Sequence, residues 1–160
     1  MTTTRWRATA TSVWPVRSLP VPDAVIEAMR LAAKASKPIV VADTQDNPGC
    51  GGSADTVGML EALVRNKAQR ALFGVVKDEL AAAAAHEAGV GAEIELDLGG
   101  RTDRPGVVPF HGRVRVEVVN DGRYTTTGPV AQGKKFDVGP SALLSIGGVK
   151  VAVSSRRVQA

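Results

Sequence analysis

The sequence predicts an α/β fold in which a β-α-β-α unit with parallel strands is followed by an antiparallel β region, all in one mixed sheet. Three observations carry this expectation. Two short apolar runs, Ile39 to Ala42 and Ala71 to Val76, each precede a stretch with helical spacing. From Ala92 onward, apolar and charged residues alternate with a period of two. Turn-forming groups, Asn120-Asp121-Gly122 and Gly147-Gly148, divide that second half into hairpins.

Residues 1 to 22, broken by Pro15, Pro20 and Pro22, read as a loose N-terminal segment, and 23 to 160 as one domain. Asp23 is placed to cap a helix whose apolar positions are Val25, Ile26, Met29 and Ala33, ending before Lys37-Pro38. The uninterrupted β-branched run from Ile39 predicts a strand covered on both faces. Ser53 is a good cap for a second helix carrying Val57, Leu60, Leu63 and Val64, with Asp55 at its positive end and Asn66 near its close. Ala71 to Val76 predicts a second buried strand. Asp78-Glu79 then start an alanine-rich helix that Gly89 ends. Ile94, Leu96 and Leu98, then Val114, Val116 and Val118, predict two half-exposed strands, and Ala142 to Ile146 with Lys150 to Ser154 predict a hairpin.

At 160 residues and 16.6 kDa the chain is long enough to bury a core without staples. The single Cys50 excludes an internal disulfide, which points to a reducing compartment and makes the cytoplasm the expected location. No apolar run approaches bilayer length, so no membrane partner is expected. The net charge of +4 is unevenly spread: residues 41–100 hold four basic and ten acidic groups, and residues 101–160 hold ten and four. No basic run exceeds a pair and only six residues are aromatic, so nucleic acid is not an expected partner either.

Chemistry, if present, is expected in Asp43 to Ser53. An apolar run there delivers Asp43, Asp46 and Asn47 to a turn containing Gly49, Cys50, Gly51 and Gly52, ahead of a helix. Gly49-x-Gly51-x-x-Ala54 fits a dinucleotide fingerprint in letters only, because six residues separate it from the strand and the approach is acidic. Two readings of the turn stay open. Its backbone N–H groups hold an anionic or carbonyl oxygen of a ligand, or Asp46 and Asn47 shape the turn through local hydrogen bonds. Cys50 has no evident histidine partner for a nucleophilic role. His86 and His111 lack companions at metal-ligand spacing, so no metal or other cofactor is expected within the chain and no catalytic residue is assigned. Arg156-Arg157 suit a substrate carboxylate, a partner surface or a solvated strand end.

Pro38-Ile39-Val40-Val41-Ala42-Asp43-x-x-Asp46-Asn47-Pro48-Gly49-x-Gly51 is followed by Ala88-Gly89-Val90-Gly91-Ala92, Leu98-Gly99-Gly100, Asp137-x-Gly139-Pro140-Ser141-Ala142 and Ser154-Ser155-Arg156-Arg157-Val158-Gln159. In this order and spacing the chain resembles the C-terminal domain of the MlrC family, the microcystinase C-like metallopeptidases, from about Asp23 to Ala160. Cys50 interrupts the family's glycine triplet. The resemblance implies a scaffold and cleft-lining domain of a zinc-dependent peptide or amide hydrolase, not competent alone, whose zinc and catalytic groups belong to a larger N-terminal domain acting as its partner. It implies that Asp43, Asp46, Asn47, Gly49, Cys50, Gly51 and Gly52 border the interdomain cleft and help hold a linear peptide or similar amide substrate. A homo-oligomer is expected where a partner-facing apolar surface is left bare. The alternative is a stand-alone binding or interaction module that uses the same loop for a small anionic ligand.

Overall fold

The computed structural model describes residues 18–103, 105–129 and 131–157, so most of the expected loose N-terminal segment lies outside the described residues. The chain divides into two compact units between Val41 and Ala42.

The first unit contains helix α1, Val21–Ala32. It begins three residues earlier than the sequence predicts, because Pro22 suits the first turn, where no N–H is needed, and Asp23 lies inside that turn. Pro20 occupies the cap position without a side-chain bond. Glu27 and Arg30 pair one turn apart at 2.7 Å. Val25 is buried, whereas Ile26 and Leu31 are exposed. Ile39 to Ala42 form no strand, which corrects the expected first strand of the parallel unit. Val40 is 89 % exposed. A β-branched run favours strand geometry only where a neighbouring strand and a covering layer exist, and neither is supplied here.

The second unit holds a single 3-10 turn, Pro48–Cys50, then α2 (Gly58–Arg65), β1 (Ala71–Lys77), α3 (Glu79–Ala88), β2 (Glu93–Leu98), β3 (Phe110–Asn120), β4 (Arg123–Thr125), β5 (Lys135–Asp137), β6 (Ser141–Ile146) and β7 (Val149–Ser154). The predicted α/β class and mixed sheet are observed, as a five-stranded sheet in the order β1-β7-β6-β3-β2. Its parallel pair joins β1 to the last strand, β7, and all other pairs are antiparallel. β4 and β5 form a separate ribbon in which Tyr124 stacks on Phe136, ring centroids 5.5 Å apart.

One sheet face is the core. Leu98, Val114, Val116, Leu144, Val149, Val151 and Val153 are buried there, and α3 covers β2, β3, β6 and β7. Ala81, Ala82 and Ala85 are the buried residues of α3, small side chains that let the helix lie close to the sheet. Asp78 caps α3 as predicted, accepting the Ala81 N–H at 3.0 Å. On the opposite face Arg113 pairs with Glu93 at 3.1 Å, and the Ser145 hydroxyl donates to Glu117 at 2.6 Å.

Three finer expectations are corrected. β1 is an edge strand with Leu72 and Val75 exposed, so it is not covered on both faces. A register shift between Val116 and Val118 breaks the period-two pattern of β3 and leaves Val118 exposed. Ser53 does not cap α2, whose cap position is Val57 and carries no side-chain bond. Among the described residues no helix is long and apolar enough to cross a membrane.

Candidate functional site

The loop from Asp43 to Gly52 is built by its own polar groups. Asp43 accepts the Gln45 N–H at 2.9 Å. The Asn47 side chain accepts the Gly49 N–H at 2.8 Å, capping the 3-10 turn that Pro48 opens. The Asn47 carbonyl accepts from Cys50 at 3.0 Å and from Gly52 at 2.9 Å, and the Pro48 carbonyl accepts from Gly51 at 3.2 Å. Gly52 passes so close to Asp46 that a Cβ there would meet Asp46 Oδ1 at 2.5 Å and the Asn47 backbone N and O at 2.8 Å. Cys50 is a free, exposed thiol at the tip.

Asp46 is the knot of this loop. Its carboxylate accepts the N–H groups of Ala54 at 2.9 Å, Asp55 at 2.8 Å and Thr56 at 2.9 Å, with the Ser53 hydroxyl 3.4 Å from either oxygen. Burial works to raise the Asp46 carboxyl, and the backbone donors of Thr56, Ala54 and Asp55 outweigh it, leaving the group below the usual carboxylate range. A cluster of N–H groups that suits an anion is thus filled by the chain's own carboxylate. The loop-shaping reading of Asp46 and Asn47 is the one the geometry displays. The N–H groups of Gly49, Cys50, Gly51, Gly52, Ala54, Asp55 and Thr56 all donate to groups within the segment.

Two further aspartates tie this segment to the rest of the unit, and apart from the Asp78 cap their bonds escape the sequence. Asp55 is 2 % exposed, and its Oδ2 accepts the Thr102 N–H at 2.7 Å and the Thr102 hydroxyl at 2.8 Å. Burial works to raise this carboxyl too. The Ser53 hydroxyl, the Thr102 donors and the Arg101 N–H outweigh it and leave it low. Asp55 Oδ1 accepts no hydrogen bond among the described residues. Asp78, fully buried, caps α3 with one oxygen and with the other accepts the Gly99 N–H at 2.8 Å and Arg101 Nε at 3.1 Å. The Asp55 carbonyl accepts the Gly100 N–H at 2.7 Å, and the Ala54 carbonyl accepts the Lys77 N–H at 2.7 Å. Asp46 thus closes segment 46–56 on itself, and Asp55, Asp78 and the two backbone bonds lace it to segments 77–81 and 97–102.

Gly99 is the tightest point of that lacing. At φ +62° a Cβ would stand 2.5 Å from both the Asp55 carbonyl oxygen and Val57 Cγ1. Gly99→Ala is expected to cost about 3 kcal/mol, combining left-handed strain with a backbone clash. Denaturant unfolding checks this, and a loss below about 1 kcal/mol would show that the loops separate easily.

The two arginines read as suiting a substrate carboxylate, a partner surface or a solvated strand end divide. Arg156 pairs with Asp137 at 3.0 Å. Arg157, exposed, donates through Nη1 to the Gly52 carbonyl at 2.7 Å and so stands beside the loop. Next to the loop lies an open groove of about 340 Å³ between α2 and residues 106–111, lined by Gln45, Thr56, Val57, Arg65, Phe110 and His111 among others. Arg65 is paired with Glu61 at 2.8 Å, and His111 Nδ1 lies 2.8 Å from Asp97 Oδ1. His86 Nε2 lies 3.0 Å from the Ser141 carbonyl oxygen.

These donors do not fit a metal ion. Among the described residues no three His, Cys, Asp or Glu side chains gather at one point. Asp46, Asp55 and Asp78 are committed to N–H and hydroxyl donors, and the two histidines lie far from one another in the sequence with separate oxygen partners.

Among the described residues, then, the site is a mixed sheet whose loops are laced by aspartates, and no metal-binding cluster is found there. Residues 41–160 match the family described as MlrC C-terminus, and the chain belongs to that family. Microcystinase C of Sphingomonas sp. is 28 % identical over 127 residues, covering 79 % of this chain and 24 % of that protein. A crystal structure from Mesorhizobium sp. BNC1 that carries a metallopeptidase name superposes with a TM-score of 0.75 at 24 % identity, covering 83 % of this chain and 27 % of the other. The chain thus spans about a quarter of the length of these relatives.

Proposed function

We propose that this chain is the supporting, cleft-lining domain of a zinc-dependent peptide or amide hydrolase of the MlrC type, acting with a larger metal-binding domain. The observation that carries the reading is the match of residues 41–160 to the MlrC C-terminus family, in a fold where Asp46, Asp55 and Asp78 hold its own loops. Zinc and the bond-breaking groups then belong to the partner domain. This chain contributes shape and charge.

The laced loop gives a rigid wall, with Cys50 exposed on it and Arg157 as a cation beside it. The adjoining groove offers Val57 and Phe110 to an apolar side chain of a linear peptide. In this reading Asp46, Asn47, Gly49, Gly51 and Gly52 hold the wall in shape, and Asp43 and Cys50 lie along the substrate path. The anionic-ligand alternative has less support, because the seven named N–H groups already donate within the segment.

The test is reconstitution with a linear peptide as substrate. The purified chain is expected to cleave nothing alone and to support zinc-dependent cleavage once combined with the larger domain of a microcystinase C relative. Zinc-dependent cleavage by the isolated chain would overturn the proposal.

A further inference from the structure

We infer that residues 21–41 are the closing helix and strand of the larger, metal-binding domain, and that Ile39-Val40-Val41 adds as a strand to that domain's sheet. This rests on the reading above that such a domain is the chain's partner. Two independent boundaries coincide here. The structure divides between Val41 and Ala42, and the family match begins at residue 41. What precedes that point is therefore outside the MlrC C-terminus domain both in space and in sequence.

The local structure says what kind of partner is missing. Helix α1 is followed by six residues, Ala33 to Pro38, and then by three β-branched residues, which is the element order and connection length of an αβ unit in a layered α/β domain. Ile39, Val40 and Val41 are 38 %, 89 % and 42 % exposed, and among the described residues no strand pairs with them. Three adjacent apolar β-formers open to water are a strand without its sheet. α1 repeats the pattern, with Ile26 and Leu31 exposed at 55 % and 41 %. The uncharged run from Pro38 to Ala42 suits the interior edge of an apolar sheet, not a charged surface. The occupant is the part of the relatives that lies outside the match, about three quarters of each.

The experiment uses the full chain and, as probe, microcystinase C of Sphingomonas sp. truncated ahead of its own counterpart of residues 21–41, so that the position of the closing helix and strand is open, and loaded with zinc. Association and amide hydrogen exchange are measured for the intact chain, Val40→Asp and Leu72→Asp, with circular dichroism confirming that each variant folds. Leu72→Asp is the control, because it charges the exposed edge of the other unit. The expected result is binding by the intact chain, slowed exchange at Ile39 to Val41 on binding, roughly tenfold or greater weakening by Val40→Asp, and no weakening by Leu72→Asp. Binding that Val40→Asp leaves unchanged would overturn the inference and spare the proposed function. So would a homodimer of the chain that Val40→Asp dissolves, since the occupant would then be a second copy. No binding by the intact chain would overturn both.

Discussion

Asp78→Ala is expected to cost about 4 kcal/mol of stability and to lower the thermal midpoint by roughly 15 °C. Three losses coincide in this one substitution. The α3 cap disappears, at about 1 kcal/mol. The Gly99 N–H loses a charged acceptor at a buried position, at about 2 kcal/mol. Arg101, whose side chain is 32 % exposed, keeps partial access to water, so its lost ion pair adds only about 1 kcal/mol. The order of effects is the sharper test. Asp78→Asn retains an acceptor for the cap and is expected to cost about half as much, and Arg101→Ala least of all. If Arg101→Ala matched Asp78→Ala, the ion pair and not the two backbone bonds would be the main tie, contrary to this account.

Asp46→Asn is expected to cost about 3 kcal/mol at neutral pH, because an amide offers one acceptor oxygen where the carboxylate receives three N–H groups on two. Its pH dependence follows from the direction of the Asp46 shift. The folded carboxyl titrates below its unfolded value of about 3.9. Its stabilisation is therefore complete above that value and is lost as pH falls through the lower, folded one. Asp55 is shifted in the same direction and adds to the same acid sensitivity. The difference in stability between the native chain and Asp46→Asn should be constant from pH 7 to about 5 and shrink below about 4. Urea titrations across that range check it. A difference that persists undiminished at pH 2 would mean that the carboxylate charge contributes little to holding the loop.

The parts of the fold legible in the sequence are those set by neighbours in the chain. The β6–β7 hairpin follows from Gly147-Gly148 between two apolar runs, and α3 from an aspartate ahead of alanines and a glycine after them. What escaped depends on residues far apart in sequence. The pairing of β1 with β7 joins Ala71 to Val149, a contact no local pattern announces. Asp78 reads as a cap because Ala81 is three residues away, but its hold on Gly99 spans 21 residues. Ser53 has the composition of a helix cap, yet its hydroxyl faces Asp46 and the helix begins five residues later. Residues Ile39 to Val41 mislead for another reason. Their composition is that of a strand, and among the described residues no strand stands beside them.

The candidate loop was visible in the sequence by its residue types, and its acceptor was not. Asp46, Asn47 and the glycines mark a special turn, but only the fold shows that Asp46 fills the cradle of N–H groups. Arg157 reaches the loop from 105 residues away, which is why a sequence motif at the C-terminus reads equally as a strand end.

Metal analysis of the purified chain, saturated with zinc and passed through gel filtration, tests most directly whether this is a supporting domain. The account predicts zinc far below one ion per chain, because among the described residues no three His, Cys, Asp or Glu side chains gather at a common point and Asp46 and Asp78 are held by their own loops. One tightly held zinc per chain, lost on substituting residues of this chain alone, would contradict it.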